Sequence, residues 1–225
     1  MPLKVVPIRD RKLHRLVKRA PVRSLRRREP LYEAGDPADT LVLVRRGHLR
    51  LTLDEEGGGF RAVAVVGPWE LTGEEGLVPG SRRRTGARAG ETAQIQRLDG
   101  ASVARALRTA ERTLDSYLLA KGEEEKLARI LGGPRRAGGA ALRVGSVLLD
   151  LARRLGRLEE KGARIPISLT HQLLADLSGT HRSTVTTLLN DWIYEGLLRD
   201  DPDGLRILGP EALRARIGSV DPKST

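Results

Sequence analysis

The feature that most constrains this chain is a change of hydrophobic period near residue 99. From Pro30 to about residue 98, apolar residues fall in short β-branched and aliphatic runs, as in TLVLVRRGHLRLTLDEEGGGFRAVAVVGPWEL. Within it Leu49 to Leu53 alternate apolar with polar, the pattern of a half-buried strand. Turn signals recur at Gly35-Asp36-Pro37, Gly47, Gly57 to Gly59 and Gly67-Pro68. Short strands at that spacing predict a small antiparallel barrel or roll. From 99 to 131 the spacing becomes helical. A seven-residue seam runs through Leu107, Leu114, Lys121 and Ala128, with Ala110, Tyr117, Glu124 and Leu131 three residues on. The seam is apolar at its ends and polar in its middle. GGPRRAGG (132 to 139) then breaks the helix, because Pro134 lacks a backbone donor and glycine costs order. A second helix is expected over 140 to 156 and a third compact unit over 164 to 217.

Composition narrows the classes. Hydrophobic residues make up 39% of the chain and aromatic ones 3%, so the core must be built from Leu, Val, Ile and Ala. The absence of cysteine excludes a disulfide framework, an iron–sulfur cluster and a thiolate zinc site, and fits a reducing cytoplasm. No apolar run approaches the roughly 20 residues of a membrane helix. The N-terminus lacks the apolar core of a secretory signal. A soluble cytoplasmic protein without membrane contact is therefore expected.

The four histidines, His14, His48, His171 and His181, have no metal-ligand spacing, and no nucleophile-elbow, phosphate-loop or metalloprotease motif occurs. Neither an enzyme nor a metal site is expected. The net charge of +11 is concentrated. Residues 1 to 28 hold eleven Lys and Arg against Asp10, leaving 29 basic and 28 acidic residues for everything else. That reads as a basic arm on a nearly neutral body. A polyanionic partner and a solubilising segment both fit it.

The most specific signal is PISLTHQLLADLSGTHRSTVTTLLNDWIYEGLL, residues 166 to 198. A first helix is expected from Thr170, whose hydroxyl would cap it, burying Leu173, Leu174 and Leu177. Gly179 makes the turn, and Thr180 is the expected cap of a second helix. Val185, Leu188, Leu189 and Trp192 lie on one face of that helix at i, i+3, i+4 and i+7. Arg182, Ser183, Thr186 and Asn190 lie on the other. Short polar side chains around one arginine suit a recognition helix in a DNA major groove, where an arginine can donate twice to guanine O6 and N7. Residues 197 to 209, centred on Asp-Pro-Asp-Gly, predict a β-hairpin wing.

In its order of roll, long helix, break and winged helix-turn-helix, the chain resembles the CRP/FNR superfamily of bacterial transcription regulators over roughly residues 13 to 209. The resemblance implies an α+β fold: an N-terminal β-roll of the cyclic-nucleotide-binding type (a double-stranded β-helix), a long dimerisation helix and a C-terminal winged helix-turn-helix. The expected division is a basic arm 1–28, roll plus dimerisation helix 29–131, hinge 132–141 and DNA-binding domain 142–225. Arg182 falls on the family's base-reading arginine. Thr170, Gln172 and Thr184 fall on its phosphate-contacting positions, with His181, Ser183, Thr186 and Asn190 completing the DNA face. Ser183 and Thr187 replace a glutamate and an arginine of the catabolite-activator subgroup, which predicts a different operator. Double-stranded DNA, a second copy of the chain and RNA polymerase are the implied partners.

The resemblance also gives meaning to GEEGLVPGSRRRT, residues 73 to 85. A Gly-Glu pair followed ten residues later by Arg-Ser/Thr is the family's phosphate cassette. Its glutamate accepts from a ribose hydroxyl and its arginine grips a cyclic phosphate. Here Gly73, Glu74, Arg84 and Thr85 stand at those positions, which implies cyclic AMP or another small effector. Glu75 stands where an aliphatic residue is usual, and Gly86 where alanine is usual. Ala128 and Arg129 fall where an adenine-contacting Thr-Ser pair would be. Three readings stay open from the residues: a cyclic-nucleotide sensor, an effector-independent regulator with a vestigial pocket, and a sensor or adaptor that binds no DNA.

Overall fold

In the computed structural model, residues 11–108, 139–160 and 162–218 are described. The chain divides into two compact units between Lys126 and Leu127. The seam positions beyond Arg108, the hinge residues up to 138, and Ala128 and Arg129 lie outside the described residues.

The first unit is a roll of two four-stranded antiparallel sheets. Its strands are β1 (Val22–Leu25), β2 (Pro30–Tyr32), β3 (Thr40–Arg46), β4 (Leu49–Asp54), β5 (Phe60–Val66), β6 (Leu71–Thr72), β7 (Gly86–Ala89) and β8 (Ala93–Asp99). One sheet runs β1-β8-β3-β6 and the other β2-β7-β4-β5. Consecutive strands often lie in different sheets.

The β3 sequence TLVLVRR shows how the core is assembled. Val42 and Val44 face the facing sheet and pack with Leu25, Leu49, Val66 and Ile95. Leu41 and Leu43 point the opposite way and pack with Val17, Leu98 and Val103. Both faces of β3 are thus covered, so the strand is apolar at successive positions instead of alternating. The helices that cover the outer face are α1 (Arg11–Arg19), which contributes Val17, and α2 (Gly100–Arg108), which contributes Val103.

This packing includes part of the basic N-terminal segment. Of residues 1 to 28, the described part is helix α1 and strand β1, both integral to the roll. Strand β1 pairs with β8 from Val22↔Gln96 to Leu25↔Ala93. The Gln96 side-chain amide, buried, donates to the carbonyls of Val17 (2.8 Å) and Ala20 (2.6 Å), fixing the end of α1 against the sheet. Lysine and arginine line the exposed face of this stretch while Leu16, Val17 and Leu25 pack inward.

Among the described residues, the second unit has four helices and a small sheet. Helix α3 (Ala140–Leu155) buries Val144, Val147, Leu148 and Leu151 against α4 (His171–Ser178), α5 (Arg182–Tyr194) and α6 (Pro210–Gly218). The expected wing is present as β11 (Leu198–Asp201) and β12 (Gly204–Ile207), paired around the Asp-Pro-Asp-Gly turn. A second hairpin, β9 (Arg157–Glu159) and β10 (Gly162–Arg164), joins it to give the order β11-β12-β10-β9. Three-residue strands carry too little alternation to show in RLEEKGA.

Leu25 is 1% exposed in the core between the sheets. Leu25→Ala is expected to cost about 2–5 kcal/mol of roll stability, measured by urea unfolding. A freely solvated arm would show no change.

Candidate effector pocket and nucleic-acid interface

The cassette begins as β6 ends. Gly73 has φ 81°, in the left-handed region, and a 3₁₀ turn Glu74–Leu77 follows. A Cβ at Gly73 would strike the Arg83 guanidinium, and one at Gly76 would lie 2.8 Å from the Thr40 backbone. The turn therefore sits hard against the start of β3, and only glycine fits at both positions.

The arginine inside this cassette is Arg83. It is 3% exposed. Its guanidinium donates to the carbonyl of Gly73 (3.1 Å), to the carbonyl of Thr40 (2.7 Å) and to the Thr40 hydroxyl (3.1 Å). It also stacks over the Tyr32 ring, 4.3 Å from the centroid. Burial raises the Tyr32 phenol above its ordinary value, opposed by its hydrogen bond with Thr72 and by the Arg83 charge.

Arg82 and Arg84, on either side, are exposed. Arg82 donates to the Gly35 carbonyl (2.8 Å). The Arg84 backbone N–H donates to Glu75 Oε1 at 3.2 Å, and Glu75 Oε2 lies 3.8 Å from Arg83 Nη1. Glu74 and Thr85 are half-buried beside them. Gly86 faces Thr52 across β4 and β7, and a Cβ there would lie 2.7 Å from the Thr52 hydroxyl. The missing alanine methyl is thus compensated by a larger residue on the neighbouring strand.

In the second unit, the Thr170 hydroxyl accepts from the Leu173 N–H (3.1 Å), capping α4 as expected. Gly179 closes the turn at φ 62°. The second cap is different from expectation. His181 occupies the N-cap of α5 without a side-chain cap, while Thr180 Oγ1 lies 2.7 Å from Ser178 Oγ, within hydrogen-bond distance. Val185, Leu189 and Trp192 are buried, with Leu188 half-buried. His181, Arg182, Ser183 and Asn190 are exposed on the other side, and Gln172 is exposed on α4 with its amide 2.7 Å from Asp176. Thr184 and Thr186 are half-buried.

His171 has Nδ1 2.8 Å from the Thr186 hydroxyl, which also lies 3.0 Å from the Arg182 carbonyl. A hydroxyl has one proton to give. When it goes to the carbonyl, the imidazole donates, and the contact ties the start of α4 to the first turns of α5.

The wing carries arginines, but they are neutralised within the sheet. Arg199 and Arg206 pair with Asp201, and Arg206 and Arg164 pair with Glu159, at 2.6–2.8 Å. Arg182 has no ion pair among the described residues, so it stands out as an uncompensated cation on the recognition face.

An exposed, unpaired arginine in the first turn of the second helix, behind a glycine turn and before a wing, is the arrangement of a DNA reader. The description of the Crp-like helix-turn-helix domain matches residues 142–216, and that of the cyclic nucleotide-binding domain matches residues 22–110. The cyclic AMP receptor protein of Thermus thermophilus is 31% identical over 183 residues, 80% of each chain. The chain belongs to the CRP/FNR family of transcription regulators. Members of this family are regulators, not enzymes, and this one carries the family's DNA-binding domain. A CRP-like cAMP-activated global transcriptional regulator of Mycobacterium tuberculosis is 26% identical over 83% of each chain. The structure of FixK2 from Bradyrhizobium japonicum shares the fold, with a TM-score of 0.71 at 20% identity over 87% of this chain and 96% of that one.

The structure brings Gly73, Glu74, Arg84 and Thr85 to one loop cluster. Arg83, Thr40, Tyr32 and Glu75 were missed as parts of it. A usable signal was present: in an extended segment alternate residues face opposite ways, so of three successive arginines the middle one goes inside when the outer two face out.

Arg83→Ala should cost about 3 kcal/mol or more of roll stability, because it strands buried carbonyls, whereas Arg84→Ala should stay within about 0.5 kcal/mol; denaturant unfolding separates them. In the wing, hydrogen bonds from Arg164 hold the Glu159 carboxyl below its ordinary value, and hydrogen bonds from Arg199 do the same for Asp201. Their contribution is complete above the unfolded carboxylate values near pH 4 and is lost as the pH falls through the lower folded ones. Melting between pH 7 and pH 3 should therefore show an acid-side loss that the Glu159→Gln/Asp201→Asn double variant lacks.

Proposed function

We propose that the chain is a homodimeric regulator that binds a two-fold operator, under the control of a phosphate-bearing effector such as cyclic AMP taken up by the roll. The observation that carries the DNA half is Arg182, exposed and without an ion pair at the start of α5, beside Ser183 and Asn190. It reads one base pair, while Thr170, Gln172, His181, Thr184 and Thr186 lie around it to meet phosphates and neighbouring bases. Two recognition helices about 34 Å apart would enter successive major grooves. In this reading the helix over 103–131 pairs the subunits, and the hinge of the expected 132–141 segment ends where α3 begins at Ala140. RNA polymerase is the further partner of an activator of this design, and a DNA partner places the protein in the cytoplasm.

The effector half rests on the cassette. In this reading Glu74 accepts from a ribose hydroxyl, and Arg84 and Thr85 meet the phosphate. The names of the Thermus and Mycobacterium relatives, both of which refer to cyclic AMP, support that choice. A second reading, an effector-independent regulator, is favoured by one observation: the Arg84 amide is already bonded to Glu75.

Arg182→Ala should weaken operator binding by about 1–3 kcal/mol and relax preference at one base pair, measured by binding-site selection and gel shift. Removing residues 1–10, which spares α1 and β1, should lower the salt slope of DNA binding if those residues meet phosphate. Calorimetry with cyclic AMP and cyclic GMP, repeated on Arg84→Ala, tests the effector, and sedimentation at micromolar concentration tests the dimer.

A further inference from the structure

The two oxygens of Glu75 have separate partners. Oε1 accepts from the backbone N–H of Arg84 at 3.2 Å, and Oε2 faces the Arg83 guanidinium at 3.8 Å. The side chain is 18% exposed, so the carboxylate is well inside the cassette. A backbone amide beside a guanidinium is the donor set that holds a phosphate oxygen. Here the chain supplies an anion of its own to those donors. Arg83 cannot turn away from it, since the guanidinium is already bound to Gly73 and Thr40 and packed on Tyr32.

We infer that Glu75 is a tethered anion occupying the phosphate position of the cassette, so that an effector's phosphate must displace the Glu75 carboxylate to bind. The inference builds on the phosphate-effector reading above and adds to it a residue that sets affinity and selects against weak anions. Glu75 and Arg84 are nine positions apart on one loop, so the carboxylate competes at the high local concentration of a short tether. An incoming phosphate must outcompete it for the Arg84 amide while enduring its charge until it swings out. An effector with one phosphate charge and few other contacts is penalised most. One that also engages Glu74 through a hydroxyl is penalised least.

Glu75→Gln keeps the shape and removes the charge, and Glu75→Ala clears the position. Cyclic AMP and cyclic GMP binding to the full-length protein is measured by calorimetry for wild type and both variants. In parallel the Arg84 amide resonance is followed by NMR as inorganic phosphate is added. The expected result is an affinity gain of about tenfold in Glu75→Gln and more in Glu75→Ala, since a charge-assisted hydrogen bond is about twice as strong as a neutral one. Equal cyclic-nucleotide affinity in all three proteins overturns the inference and leaves the nucleotide reading intact. If none binds a cyclic nucleotide but phosphate shifts the Arg84 amide in Glu75→Ala and not in wild type, the inference stands and the nucleotide reading fails. If none binds and phosphate moves that amide in no form, the inference is overturned with it.

Discussion

The roll depends on one buried guanidinium. Arg83 joins three parts of the chain that are distant in sequence: the Gly73 carbonyl at the cassette's entrance, the Thr40 carbonyl and hydroxyl at the start of β3, and the face of Tyr32 on β2. A charge so buried is tolerated only when its donors are matched, and here carbonyl oxygens, a hydroxyl and a π face match most of them. With Arg83 in place, the 3₁₀ turn is pressed on β3, Arg84 is turned outward, and its amide is left aimed at Glu75. The cassette's geometry follows from a structural arginine beside the one the motif points to.

The second unit solves a different problem with the same residue type. Four acid–arginine pairs join β11, β12, β10 and β9 into a cross-sheet network that stiffens a very short sheet. Their other effect is electrostatic. By cancelling the wing's positive charge, they leave the exposed Arg182 at the front of α5 as a cation with no ion pair among the described residues. Helix α5 is anchored by Trp192 and Val185 below and by the His171–Thr186 contact at its side.

How much was legible in the chain varies by element. The helix-turn-helix was readable almost residue by residue, because its signals are local: a threonine cap, a glycine at positive φ and an apolar stripe at helical spacing. A local miss, His181 in place of Thr180 at the second cap, came from Thr180 placing its hydroxyl beside Ser178. The roll was readable as a class but its borders were not, since α1 and β1 are held by β8, more than seventy residues away.

By itself the sequence determined the architecture, through the switch from strand to helical period, and the recognition helix with Arg182 at its front. The spacing of Gly73, Glu74, Arg84 and Thr85 also pointed to a candidate anion site. Tertiary structure alone decided which of three adjacent arginines is buried, because that choice is made by Thr40 and Tyr32, which lie far from it in the chain. It decided equally that Glu75, an unremarkable extra acid in a loop, sits on the Arg84 amide. Contacts between distant segments carry no pattern in one linear sequence, and the burial of Arg83 rests on such contacts; the Glu75 contact rests on how its own loop closes.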